Sequence, residues 1–441
     1  MKILYVCSDP SIRPGGRGGG FTTHMEEMIE SFTKLGNEVF VLDTKTGSRE
    51  ISRTTKSQND SRRTVQTDSN SPQRGGQQAL RPQRLEGRSA RKVPRALRVI
   101  LRDSVYCFHN AAFYSRLASL LKKNCDFDFI YERYYLYQFA TSAAARKWGL
   151  PLILEFNASI EEAKLTNGLG LRPLAAFVER VLTRKADAII TVSGVLKDYL
   201  VSMGIVPEKI HVMHNGVNLL KFHPGTSGDL IRQRYGLSSG DIVVGFVGGF
   251  SVWHGAHLLL DVAPLAVKEQ RRLRFFMVGG REGNPRFESF RRIVREKGLT
   301  EVFRFAGEVP RENVPEHIAA MDIAVIPWAT DYGSPTKTFE YMGMAKALVA
   351  PRVAALEEVL IHEKTALLVA ATDVHDMASA IVRLASDRGL RDSLGANARK
   401  AVEEEYNWDR NAALTVEIAK KLIGDKKLVE QKGDHVRAGG E

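Results

Sequence analysis

The 441-residue chain has no apolar run long enough to cross a bilayer, which takes roughly 18–20 residues. That excludes a transmembrane-helix protein. Its opening, MKILYVCSDP, has no signal-peptide cleavage pattern and reads as a buried strand that starts the fold. Cysteine is scarce: Cys7, Cys107 and Cys125 have neither metal-type spacing nor a disulfide framework, so a reducing, cytoplasmic setting is expected. The net charge of +12 resembles a nucleic-acid signal until it is located. Lys45–Arg98 holds 14 Lys/Arg against 4 Asp/Glu, so nearly all the surplus sits in one segment. That segment is poor in aromatics and lacks periodicity. It cannot bury enough apolar surface to offset its ordering entropy, and a disordered insertion (about 45–95) is expected. No nucleic-acid partner is implied.

Outside it, short β-branched runs alternate with amphipathic stretches. Strands are expected at Ile3–Cys7, Val39–Leu42, Phe129–Tyr131, Leu152–Phe156, Ala188–Val192 and His211–Met213. A second set follows at Ile242–Val247, Phe275–Val278, Val302–Phe305, Ile323–Ile326 and Ala347–Ala350. Such alternation argues an α/β protein with parallel sheets and crossover helices. Both halves open alike. Ile3–Cys7 runs into glycines at Gly15–Gly20 and a helix near Phe21–Leu35; Ile242–Val247 runs into Gly248-Gly249 and a helix near Ala256–Val267. Each offers free amides at a helix N-terminus to a phosphate group. The polar stretch Asn218–Gly240 sets the boundary. Two Rossmann-like domains are expected at 1–220 and 221–405, then a helix (406–424) returning to the first and a frayed tail (425–441).

Asp331–Ala350, DYGSPTKTFEYMGMAKALVA, is the most informative stretch. Ser334 suits a helix N-cap and Pro335 the first helical position. The helix start would face the carboxyl edge of the sheet, where Lys337 adds a positive charge to the amides for a diphosphate. Glu340 lies about 9 Å further along at about 1.5 Å per residue, a spacing that suits the attached ribose. Alone, this could be a capped surface helix with a Lys337–Glu340 pair.

The context points elsewhere. GGFTTH (19–24), KLGNEVFVL (34–42), ADAIITVSGVLKDYL (186–200), IHVMHNGVN (210–218), VGFVGGFSVWHG (244–255), FMVGG (276–280), FAGEVPRENVPEHIAAMDIAVIPW (305–328) and the 334–342 element occur in this order. Together they make the chain resemble a retaining glycosyltransferase of family 4 with the GT-B fold. The resemblance implies two Rossmann-like domains facing a cleft, with the C-terminal helix crossing back. It assigns Glu340 to the donor ribose and Ser334, Pro335 and Thr336 to the diphosphate or sugar. Gly19 and Gly20 would approach the diphosphate from the first domain, and the backbone of Val309 would contact the base.

This sequence departs from the family in three places. It has Tyr-x-Ser-Pro-x-Lys-x-Phe-Glu, so Tyr332 stands where the first of two glutamates is usual. Gly249 and His254 replace the usual Arg and Lys, leaving the charge to Lys337, aided by His254 if protonated. Asn157 replaces a usual His, with Glu155 two residues before it.

The resemblance also implies metal independence, no cofactor, and a nucleotide-sugar donor (UDP- or GDP-linked). The acceptor would be a glycan, a lipid-linked molecule or a small molecule, in cell-surface polysaccharide or glycoconjugate synthesis. Lys337, His24 and Asn157 are the catalytic candidates; Arg133 and Glu155 are candidates for the acceptor side. His24 could equally be a helix histidine bonded to a backbone carbonyl, Asn157 and Glu155 could be structural, and Arg133 could sit in a surface ion pair. Asp126-Phe127-Asp128 mimics a metal motif of another fold but opens a strand rather than following one. A basic amphipathic stretch, Arg95–Lys123, could lie on the anionic inner face of a membrane or pack on a sheet. Competing readings are an NAD-dependent oxidoreductase with Asp43 at the ribose, a non-catalytic nucleotide-sugar or nucleic-acid binder, and a nucleotide-sugar epimerase.

Overall fold

The computed structural model describes residues 1–9, 20–43, 52–53, 94–123, 126–161 and 168–438. Apart from Ser52–Arg53 and the helix start at Arg95, the basic insertion lies outside them, as do Gly19 and Cys125.

The first sheet holds β1 (Lys2–Cys7), β2 (Glu38–Asp43), β3 (Ser52–Arg53), β4 (Phe129–Arg133), β5 (Leu152–Phe156), β6 (Ala188–Thr191) and β7 (Ile210–Val212), in the order β3-β2-β1-β4-β5-β6-β7. All pairings are parallel except the short β2–β3 edge. The second holds β8 (Ile242–Val247), β9 (Leu273–Val278), β10 (Phe303–Gly307), β11 (Ile323–Val325), β12 (Ala347–Pro351) and β13 (Leu367–Val369), ordered β10-β9-β8-β11-β12-β13 and wholly parallel. The α/β architecture with two doubly wound parallel sheets is as expected; β3 and β13 had no sequence signal strong enough to name.

The helices of the first half are α1 (Gly20–Lys34), α2 (Arg95–Lys123), α3 (Ala140–Trp148), α4 (Arg172–Lys185) and α5 (Gly194–Ser202). The second half adds α6 (Asp229–Arg234), α7 (Leu259–Glu269), α8 (Pro285–Glu296), α9 (Val314–Ala319), α10 (Thr336–Gly343), α11 (Ala354–Glu357), α12 (Val374–Ser386), α13 (Arg388–Glu404) and α14 (Trp408–Ala438). They cover both faces of each sheet, which is why the strands read as near-continuous apolar runs rather than alternating ones. On one face of the first sheet Ile3, Tyr5, Met25, Phe32 and Tyr131 pack with Trp408, Ala412, Val416 and Ala419 of α14. The last helix therefore completes the core begun by the first strand. It continues through 425–438 rather than fraying at Asp425: this stretch lacks apolar periodicity but is rich in strong helix formers.

Helix α2 divides its duties. Its C-terminal half buries Phe113, Leu117 and Leu121 under the sheet, whereas Leu97, Leu101, Val105 and Phe108 line one exposed face, Phe108 being 76% exposed.

In each sheet the strand order reverses once, between β1 and β4 and between β8 and β11. Ligands of such sheets bind outside the carboxyl ends at that reversal. The two reversals face a common cleft, closed by polar contacts across it. Ser193 Oγ donates to the Tyr332 carbonyl at 2.9 Å and Asn215 Nδ2 to the Ser334 carbonyl at 2.5 Å. Glu358 accepts from the amides of Gly194 and Val195, the first two residues of α5, at 2.7 and 3.3 Å.

Candidate functional site

A cavity of about 270 Å³ opens in this cleft. Gly20, Phe21 and His24 of α1, Arg133 at the end of β4 and Asn157 after β5 form one wall. Trp253 and His254 after β8, and Trp328–Thr330 with Tyr332–Lys337 after β11, form the other. Of the candidates read from the sequence, His24, Asn157, Arg133, Gly20, His254, Tyr332, Ser334, Pro335, Thr336 and Lys337 are thus brought together. Gly20 shows how closely the walls approach: a Cβ there would lie 3.0 Å from Thr336 Oγ1.

On the first wall, Glu155 is fully buried. Arg133 Nη1 donates to its Oε1 at 2.6 Å, Asn157 Nδ2 to the same oxygen at 2.8 Å, and Tyr131 Oη to Oε2 at 2.9 Å. His24 Nε2 lies 3.1 Å from Oε2, outside hydrogen-bond alignment, and its ring packs 4.7 Å from that of Trp408. Burial alone would raise the Glu155 pKa, but His24 and Arg133 outweigh it and bring it down to about 2. The reading of His24 as a backbone-bonded helix histidine and that of Arg133 as a surface pair are both corrected. Arg133 is buried against Glu155, and its guanidinium lies 5.3 Å from the ring of Phe21. Glu155 does not line the cavity; it holds Arg133 and Asn157, which do.

On the second wall the helix begins one residue later than expected. Pro335 is extended (φ −64°, ψ 127°), so α10 starts at Thr336 and Ser334 makes no side-chain cap. Its hydroxyl is buried in the cavity wall without a partner instead. Lys337 makes no pair with Glu340. Its stem is partly exposed, but its ammonium nitrogen is covered, has no hydrogen-bond acceptor and lies 4.6 Å from the Phe246 ring. Burial lowers its pKa to about 8, despite the opposing pull of Glu340, and leaves it mostly charged at neutral pH.

His254 cannot share that charge. Burial and the neighbouring Lys337 drive its pKa down to about 4, so the imidazole is neutral. Gly249 lies beneath it: a Cβ there would meet His254 Cδ2 at 3.2 Å.

Glu340 is buried and is engaged by a residue that sequence reasoning passed over: Arg311 Nη2 lies 2.5 Å from its Oε1. Arg311 follows β10 and lies 5.0 Å from the Phe222 ring. It was visible inside the matching stretch, but nothing in the sequence links it to a glutamate 29 positions away. Glu340 and Val309 are outside the cavity lining, as is Gly249.

Eleven side-chain polar atoms among the described residues are buried without a hydrogen bond. Five line this cavity: His24 Nε2, Asn157 Oδ1, Asn215 Oδ1, Ser334 Oγ and Lys337 Nζ. Buried polar groups are ordinarily satisfied, so their concentration marks a binding site for a polar ligand. Lys337 and the amides at the start of α10 make the second wall fit for an anion. A larger cavity, about 560 Å³, opens at the amino edge of the second sheet, but its cations are already paired: Arg232 with Asp322 at 2.6 Å, Arg391 with the Leu384 and Ala385 carbonyls. The Asp-Phe-Asp motif is structural, with Asp126 on the Lys2 ammonium and Asp128 accepting from the Lys2 amide. Among the described residues no helix is long and apolar enough to cross a membrane.

Comparison with known proteins agrees with this geometry. Residues 18–220 match the family described as Glycosyltransferase Family 4, and residues 241–387 that described as Glycosyl transferases group 1. A D-inositol 3-phosphate glycosyltransferase of Streptomyces bingchenggensis is 26% identical over 314 residues, 68% of either chain. Among solved structures, sucrose-phosphate synthase from Thermosynechococcus elongatus superposes with a TM-score of 0.71 at 19% identity, covering 96% of this chain and 99% of that one. Anabaena HepE in complex with UDP-glucose gives 0.63 at 16% identity, covering 95% and 99%.

Proposed function

We propose that the chain, whose residues 18–220 and 241–387 match glycosyltransferase family models and which has the GT-B fold, transfers a hexose from a UDP- or GDP-sugar with retention of configuration and without a metal. The observation that carries this reading is the covered, unpartnered ammonium of Lys337 at the start of α10. A buried charge is costly unless an opposite charge meets it, and a diphosphate is such a partner. As the glycosidic bond breaks, negative charge grows on the leaving phosphate. A preorganised ammonium and helix amides stabilise that charge more than they stabilise the ground state. Among the described residues, those lining the cavity are neutral or cationic, which favours chemistry driven by the leaving group over attack by a carboxylate.

Within this reading Ser334, Thr336 and Gly20 flank the diphosphate, and Glu340, oriented by Arg311, takes the ribose. Val309 and Gly249 lie nearer the base and phosphate ends. Arg133, His24 and Asn157 face the acceptor, with Glu155 positioning them. The UDP-glucose complex of HepE makes a UDP-sugar the first donor to try.

The acceptor belongs to glycan or glycoconjugate synthesis. The exposed apolar face of α2, with Leu174 and Phe177 of α4 also exposed and Arg98, Arg116, Lys122 and Lys123 along α2, suits the inner face of an anionic membrane and hence a lipid-linked acceptor.

Calorimetric titration with UDP, GDP and their sugars tests the donor. Transfer assayed by NMR in the presence of a chelator tests retention and metal independence. An inverted product, or activity abolished by the chelator, refutes that part of the proposal. Failure to pellet with phosphatidylglycerol vesicles refutes the membrane face.

A further inference from the structure

One feature of the cavity is not explained by a phosphate: it is rimmed by aromatic rings. Trp253 sits in the turn Val252–His254 after β8 and is 38% exposed. Trp328 follows β11. Their ring centroids are 5.8 Å apart with planes inclined at 59°, so they form a corner rather than a stack. The corner depends on Gly255, which has φ +67° and lies so close to Trp328 that a Cβ would be 2.4 Å from the Trp328 Cβ. Across the cleft Phe21 is 58% exposed. Tryptophan usually buries most of its area, and open rings gathered in one cavity mark a recognition surface.

The corner also lies beside the anion site. Trp253 precedes His254, whose Nδ1 and the Lys337 ammonium both crowd Gly248: a Cβ there would be 3.6 Å from the first and 3.1 Å from the second. Lys337, Trp253 and Trp328 line one cavity, so a group joined directly to a phosphate at Lys337 shares that space with the two indoles. Tyr332, by contrast, packs against the core of the first half while its carbonyl accepts from Ser193. Its aromatic ring is committed to the closed cleft.

We propose that Trp253 and Trp328 recognise the transferred sugar of the donor by stacking on the C–H face of its pyranose ring. Apolar contact thereby takes the place of recognition by a carboxylate. The indoles offer polarizable faces to axial C–H bonds, and the hydroxyls around the ring edge remain free for Asn215 and Ser334. The ligand class is a pyranose that presents a face of C–H groups to the indoles.

This inference rests on the transferase reading, so its test separates the two. Calorimetry would compare UDP with UDP-glucose, and GDP with GDP-mannose, on the wild type and on Trp253→Leu, Trp328→Leu and Trp328→Phe. If the wild type binds neither nucleotide, the functional reading fails. If it binds one, the leucine variants should keep the nucleotide affinity while losing roughly 3- to 10-fold of the sugar-nucleotide affinity, the range of an aromatic contact. Trp328→Phe should recover part of that loss. An unchanged ratio of sugar-nucleotide to nucleotide affinity overturns the proposal. Equal losses for both ligands, or a raised acceptor KM with donor binding untouched, overturn it as well.

Discussion

Lys337 and Glu155 are the two buried charges on which the site turns, and they respond to opposite treatment. The ammonium of Lys337 costs folding free energy because burial holds its pKa near 8 rather than near 10.5. Between those values the native state binds fewer protons than the unfolded one, so the penalty is full below pH 8 and fades as pH rises toward 10.5. Lys337→Met should therefore make the ligand-free protein more stable by about 1–2 kcal/mol, discounting for its partly exposed stem. The same substitution should remove the thermal shift given by a sugar nucleotide and lower kcat by roughly 10²–10³. Donor affinity in the wild type should fall above pH 8 as the amine loses its proton. A variant that is no more stable, or that still turns over normally, would contradict this account.

Glu155 has its pKa held down to about 2, so its contribution is present above the unfolded value near 4.5 and is lost as pH falls through 2. Glu155→Gln leaves Arg133 buried without its counter-charge. A loss of about 3–5 kcal/mol in urea unfolding is expected.

At the scale of elements, the sequence carried most of what local physics decides. β-branched runs marked eleven of the strands, and Gly248-Gly249 marked the turn after β8, whereas Gly15–Gly19 lie outside the described residues. What it could not carry depended on distant partners or weak local signals. The Arg311–Glu340 contact joins residues on separate elements. The neutral state of His254 comes from its burial, reinforced by Lys337, which is far along the chain. Ser334 had the chemistry of a cap, but Pro335 adopts an extended backbone that turns α10 away from it. α5 adds a feature of the same kind, because its N-terminal amides are satisfied by Glu358 from the other half. Capping of this sort is worth about 1 kcal/mol. Glu358→Ala should loosen the cleft: small-angle scattering should give a larger radius of gyration without nucleotide and the original one with a saturating sugar nucleotide. An identical radius in both states would show that Glu358 has no part in closure.

Taken whole, the molecule is stitched from its first strand to its last helix. Trp408 packs with Ile3, Tyr5 and Met25 and also supports the His24 ring, so Trp408→Ala should cost about 3–5 kcal/mol and weaken acceptor use as well. Chemical unfolding and acceptor kinetics would report the two effects separately; loss of neither would mean that α14 is a passenger. The stitching also has a consequence for biosynthesis. The strands of the first sheet have all been made by Val212, yet part of the cover of one of its faces, beside that given by α1, lies between Trp408 and Ala419. At about 5–20 residues per second the ribosome needs on the order of 10–40 s to supply them. For that interval a nascent first half leaves Tyr5, Met25 and Phe32 without their α14 partners, and emergence of Trp408–Ala419, rather than the synthesis of any strand, sets when it can become native.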